Sequence, residues 1–145
     1  MSDLTITLEQ DPPAEDVRAL DERLTAFNLR VVKDARYETL RFFLRDASGA
    51  VVGGLIADAL MGWMFVQILY VDDAYRGQGH GAALMRRAEE EARRRGFRGM
   101  WLDTFTFQAP EFYLRLGFTE FGRLDDFPPG YSRHFLMKRL DSGNS

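Results

Sequence analysis

The stretch QILYVDDAYRGQGHGAALMRRAEEEARRRGF, Gln67–Phe97, decides how the rest of the chain is read. Ile68 to Val71 form the end of an apolar run suited to a buried strand. From Gly81 onward, Leu84, Ala88 and Ala92 mark one face of a helix, and Gly96 supplies its stop. Between the two, Gly77, Gly79 and Gly81 stand at every second position. Glycine permits positive φ and lets a ligand approach where a Cβ would intrude. A turn of this kind at a helix start aims free N–H groups at one point, where the helix dipole also favours negative charge. That is a seat for phosphate or pyrophosphate, and Arg76 adds a positive charge at its rim. A bare turn needs one or two glycines, not three.

Two familiar phosphate loops fit poorly. The Walker A pattern fails because no Gly-Lys-Ser/Thr is present. Gly77-x-Gly79-x-x-Ala82, with Asp103 downstream, satisfies the relaxed dinucleotide fingerprint. That fingerprint, however, sits directly at a strand end, and here DDAYR intervenes. The chain before it also reads as consecutive strands rather than βαβ units.

Upstream, Leu4, Ile6 and Leu8 alternate with polar residues and predict a short strand. Pro12 and Pro13 mark a helix entry, and Val17, Leu20, Leu24 and Phe27 recur at helical spacing. TLRFFLRDASGAVVGGLIADALMGWMFVQILYVD predicts three antiparallel strands, turned at DASGA and near Gly62. Downstream, FRGMWLDTFTF reads as a strand, APEFYLRLG as a short helix ended by Gly117, and FTEFGRL and YSRHFLMKRL as strands. The order is β-α-β-β-β-α-β-α-β-β, a mixed α/β sheet with an antiparallel first half. The chain is expected to form one domain over residues 1–140, followed by a disordered tail, 141–145.

Composition narrows the function. A hydrophobic fraction of 46% supports a packed core. There is no cysteine, so disulfides, thiolate metal sites and cysteine nucleophiles are excluded, and a reducing, cytoplasmic setting is expected. His80 and His134 show no metal-ligand spacing, so no metal is expected. A net charge of −3 argues against nucleic acid. In RRAEEEARRR, Glu89–Arg93, Glu90–Arg94 and Glu91–Arg95 have the favourable i,i+4 order, which reads as a solvated helix face. Val51 to Val71 is long enough to span a bilayer, but it carries Asp58, which costs roughly 3 kcal/mol at mid-membrane, and lacks basic flanks. The start shows no signal peptide, and a soluble protein is expected.

The quoted stretch resembles the acetyl-CoA segment of the GCN5-related N-acetyltransferases, the GNAT superfamily. Its Arg76-Gly77-Gln78-Gly79-His80-Gly81 is similar to the family's Arg/Gln-x-x-Gly-x-Gly/Ala. APEFYLRLGF, Ala109 to Phe118, is similar to the family's second signature, Ala-x-x-Phe/Leu-Tyr-x-x-Leu-Gly-Phe. The resemblance implies the GNAT fold, with about seven strands, mostly antiparallel, and a splayed strand pair that forms the acetyl-CoA slot. It implies that the amides of Gly77, Gln78, Gly79, His80, Gly81 and Ala82, with Arg76, hold the pyrophosphate. Leu69, Tyr70 and Val71 would offer backbone groups to the pantetheine arm. A free N–H in the slot would polarise the thioester carbonyl. Tyr113 would be the general acid that protonates the leaving thiolate. Thr106 stands seven residues before it, where the family often has Asn, and would hydrogen-bond the cofactor.

The sequence departs from the family at the base. Many members carry Glu on the strand before the loop; here the polar residue is Gln67, which takes no proton. Either the amine acceptor arrives partly neutral, or Asp58, Asp103 or His134 serves through water. Phe27, Asn28, Trp63, Phe65, Phe105, Phe107 and the DDFPPGYSRH connection are candidates for the acceptor walls. TFTF would set Phe105 and Phe107 on one side of a strand and Thr104 and Thr106 on the other. An aromatic rim with Asp58 or Asp125 nearby would suit a cationic amine. The expected activity is acetyl transfer from acetyl-CoA to the primary amine of a small molecule, by direct attack in a ternary complex. The rival readings are a catalytically weak acyl-CoA sensor and a protein or peptide amine acetyltransferase. The resemblance also allows a homodimer.

Overall fold

The computed structural model describes residues 3–141. These form two compact units, one up to Ala35 and one from Arg36 onward. No described helix is long and apolar enough to cross a membrane.

The first unit is built around α1, Ala14–Leu29. Pro13 caps it, and Glu15 and Asp16 occupy its first turn, where the dipole favours acids. Val17, Leu20, Leu24 and Phe27 stay exposed. The strand expected from Leu4 to Leu8 is absent. Alternation sorts side chains onto two sides, but a strand exists only through a ladder of backbone partners. Those three side chains are almost fully exposed. The sheet therefore has six strands rather than about seven.

The second unit follows the expected order. Strands β1 (Tyr37–Arg45), β2 (Val51–Leu60) and β3 (Trp63–Val71) form an antiparallel meander. At the first turn Asp46 Oδ1 accepts from the amides of Ser48 and Ala50 and from the Ser48 hydroxyl. At the second, Met61 and Gly62 both hold positive φ, the two-residue turn whose twist suits a hairpin. Helix α2 (His80–Arg94) crosses to β4 (Gly99–Phe105), which runs parallel to β3. Helix α3 (Pro110–Arg115) leads to β5 (Thr119–Asp125) and β6 (Ser132–Arg139), and the sheet order is β1-β2-β3-β4-β6-β5. Residues 142–145 of the expected tail lie outside the described residues.

Helix α2 anchors the core. Its Leu84, Met85, Ala88 and Ala92 are buried in one cluster with Leu55, Met64, Met100, Leu102 and Leu136 of the sheet. Glu89–Arg93 and Glu91–Arg95 pair as expected, while Arg94 turns to Glu91 instead of Glu90. Glu91 is thus shared by three arginines, Arg87, Arg94 and Arg95, and Arg95 also ties α2 to Glu38 of β1 at 2.7 Å.

Candidate active site

The site begins with an extra residue. In the β2–β3 ladder Ile56 faces Ile68 but Ala57 faces Val66, so Gln67 is a bulge in β3. A bulge bends its strand and sharpens the local twist. On the other side β3 pairs with β4 only from Trp63↔Gly99 to Val66↔Leu102. Beyond that point β4 stays with β6 as far as Phe105↔Arg133. The two parallel strands therefore fork just after Val66 and Leu102. Alternate residues of a strand turn their N–H and C=O to opposite neighbours, so the fork exposes backbone groups along β3.

A cavity of about 830 Å³ occupies the fork. It is lined by Leu69, Tyr70 and Val71 from β3, by Arg76, Gly77 and Gly81 from the loop and first turn of α2, and by Tyr113 from α3. Residues separated by more than forty positions in the chain meet there because α2 returns the chain to the sheet beside β3. Gln78, Gly79, His80 and Ala82 stand on the same loop and helix start without lining the cavity.

The loop is shaped by its glycines. Gly77 and Gly79 have φ of 73° and 86°, a region that L side chains rarely adopt, with open space where a Cβ would project. Gly79 is the N-cap of α2, and no side chain caps the helix. The first intrahelical bond runs from Ala83 N to Gly79 O at 3.0 Å, so the preceding amides keep their donors free. Gly81 packs under Phe112, whose Cζ lies 3.4 Å from where a Cβ would stand. Arg76 is fixed in place: Nε donates to Val71 O at 2.8 Å, Nη1 meets Asp73 at 2.8 Å, and the guanidinium lies over the Tyr70 ring.

Tyr113 packs edge-on against Phe112 and Phe118. Burial pushes its phenol above the ordinary value of 10.0. Its hydroxyl makes no hydrogen bond within the described residues, and none of their side-chain oxygens is both buried and unpartnered. The hydroxyl is therefore not sealed off from solvent, and Tyr113 lines the cavity.

Thr106 sits elsewhere. Strand β4 ends at Phe105, and Thr106 opens a 3-10 turn, Thr106–Gln108. Its hydroxyl accepts from Ser132 N at 3.0 Å and lies 3.1 Å from both Ser132 O and His134 Nε2. It is committed to β6 and does not line the cavity. Phe105 and Phe107 stack at 5.3 Å, but Phe107 lies in the 3-10 turn and not on one side of a continuing strand. Among the candidate bases, His134 has its other ring nitrogen on Glu120 at 2.6 Å, and Asp58 accepts from Thr39 and Gln67. Neither lines the cavity; Asp103 does. Asp125 is taken by Ser132 and Arg123.

Sequence reasoning passed over Gln108 and Arg115, and named Arg133 only within the DDFPPGYSRH connection. Gln108 Oε1 accepts from Phe105 N and Thr104 Oγ1, which ends β4 and sends the chain toward α3. A glutamine three residues after the last strand residue was the available signal. Arg115 lines the cavity. Arg133 pairs with Asp103, a contact that only the β4–β6 register brings about.

Comparison with known proteins places this geometry. Residues 4–118 match the Acetyltransferase (GNAT) family. The chain is 37% identical over 137 residues to acetyltransferase Atu2258 of Agrobacterium fabrum, covering 94% of this chain and all of that protein. It is 38% identical to the blasticidin-S acetyltransferase of Streptomyces morookaense, over 83% of this chain and 92% of the other. A crystal structure from Agrobacterium tumefaciens superposes with a TM-score of 0.86 at 36% identity, covering 94% and 100% of the two chains. The chain belongs to the GNAT family of acetyltransferases. It is an acyl-CoA-dependent N-acetyltransferase, with acetyl-CoA as its donor substrate.

Proposed function

We propose that the protein transfers acetyl from acetyl-CoA to the primary amine of a small molecule, by direct attack in a ternary complex. The observation that carries this reading is one cavity that joins the open helix start, the forked strand and a buried, protonated phenol. The pyrophosphate would sit on the amides between Gly77 and Ala82, beside Arg76. The pantetheine would run along Leu69 to Val71, where β3 has no neighbour on the β4 side. A free β3 amide in the fork would hydrogen-bond the thioester oxygen as negative charge grows there.

The amine nitrogen forms a bond to the thioester carbon, and the C–S bond then breaks. The departing thiolate takes the proton of Tyr113, and Tyr113 recovers one from the surplus proton on nitrogen. A thiol has a pKa of about 8.5, so its thiolate is basic enough to be protonated by a nearby acid. With no cysteine in the chain, no thiol is available for an acyl-enzyme route. The name of the relative that acetylates blasticidin-S supports a small acceptor. The family match from 4 to 118 spans both compact units, which supports their acting as one domain over residues 1–140.

Initial rates test the reading. With acetyl-CoA and a panel of small primary amines, thiol release should rise with amine, and double-reciprocal plots should intersect. Parallel lines would indicate a covalent intermediate and overturn direct attack. Activity confined to peptide N-termini would overturn the small acceptor.

A further inference from the structure

Asp103 is the one carboxylate among the described residues that line the cavity. Its ion pair with Arg133 is lopsided. Arg133 Nε donates to Asp103 Oδ1 at 2.9 Å, and Nη2 lies 2.9 Å from that same oxygen. A guanidinium that merely braces a carboxylate commonly engages both oxygens as a fork. Here Oδ2 takes no hydrogen bond from the described residues. No side-chain oxygen among them is both buried and unpartnered, so Oδ2 keeps an opening although the side chain is only 15% exposed.

The pair is also held rigidly. The Arg133 guanidinium lies 5.6, 5.0 and 5.5 Å from the ring centres of Phe105, Phe127 and Phe135. Beside it, Phe107 stacks on Phe105, meets Tyr131 edge-on at 5.2 Å, and leaves much of its own ring uncovered at the cavity. A fixed carboxylate and a flat apolar wall lining one cavity make a recognition site already in shape, which loses little freedom on binding.

We propose that Asp103 recognises the acceptor, its Oδ2 accepting a hydrogen bond from the ammonium group of an amine whose flat apolar body packs on Phe107; the ammonium releases one proton to solvent before its neutral nitrogen attacks the thioester. The assignment rests on the acetyl-transfer reading of the same cavity and narrows it. The acceptor is an amine that is cationic at neutral pH and joined to a planar or aromatic group. Acceptors whose nitrogen is uncharged gain nothing from Asp103.

The test compares 2-phenylethylamine, a cation at neutral pH, with 4-ethylaniline, which is neutral there. Asp103→Asn should raise KM for 2-phenylethylamine about ten- to a hundredfold, the scale of a hydrogen bond to a charged group. KM for 4-ethylaniline and acetyl-CoA affinity by calorimetry should hold, and Asp103→Glu should restore part of the loss. Should Asp103→Asn unfold because Arg133 is stranded, the Asp103→Asn/Arg133→Gln pair of changes carries the same comparison. Equal effects on both amines, or none on the cation, overturn the role of Asp103. Acetyl-CoA binding by the unaltered enzyme with no acetylation of 2-phenylethylamine also overturns it, while leaving acetyl transfer intact. Failure to bind acetyl-CoA overturns the reading beneath it.

Discussion

A phenol held above its ordinary pKa is a weaker acid, yet it is certain to carry its proton at neutral pH, which is what a proton donor to a thiolate requires. Burial alone raises Tyr113. Replacing it with phenylalanine keeps the packing against Phe112 and Phe118 and removes only the hydroxyl that carries the proton. The expected outcome is a fall in kcat of about 10²- to 10⁴-fold, with acetyl-CoA affinity by calorimetry unchanged. The sign of the pH dependence follows from the same shift. The active form is the neutral phenol, so activity should hold with rising pH and any limb owed to Tyr113 should lie above 10.0. A kcat profile whose alkaline limb stays below that value in the wild type and persists in Tyr113→Phe would assign the limb to another group. At this scale the sequence was uneven. Tyr113 was legible because its neighbours form a contiguous signature. The Asp103–Arg133 contact was not, because thirty positions separate the partners and only strand register joins them. Thr106 was placed by its distance from Tyr113, but that spacing cannot show that β4 stops at Phe105 and turns the hydroxyl to Ser132.

At the scale of elements, α2 serves two tasks. Its apolar face packs the sheet, and its uncapped N-terminus is left open toward the glycine loop. Glu91 stabilises the helix face. Hydrogen bonds from Arg94 and Arg95, in that order, hold its carboxyl at about 2 against an ordinary 4.5. A carboxylate with a lowered folded pKa contributes stability above its unfolded value and loses it as pH falls through the folded one. Thermal melts should therefore show a stability loss between pH 4.5 and about 2 that Glu91→Gln reduces. An unchanged slope in the variant would remove Glu91 from the account. The helix itself was legible from Leu84, Ala88, Ala92 and Gly96. Which arginine joins which acid was not, since i,i+3 and i,i+4 partners compete on one surface.

The whole sheet makes the site by failing to stay paired. A bulge at Gln67 and the end of the β3–β4 ladder at Val66↔Leu102 open the fork that the loop and α3 then close around. The order of elements along the chain from β1 onward was readable from turns and periodicity, because each strand's own letters carry them. The bulge was not, because it is a mismatch of count between two strands. Leu4 to Leu8 erred in the opposite direction: the pattern of a strand was present and no ladder formed. The claim that ties these levels together is that acetyl-CoA is held in the fork against the start of α2. Gly81 tests it most directly, since its backbone is helical, it lines the cavity, and only Phe112 stands near its missing Cβ. Calorimetric titration of acetyl-CoA into the wild type and Gly81→Leu, with thermal melts as a check on folding, is the measurement. The account predicts one site per chain in the wild type and at least about tenfold weaker binding, near 1.4 kcal/mol, in a folded variant. Equal affinity in a folded Gly81→Leu would place the cofactor elsewhere and contradict it.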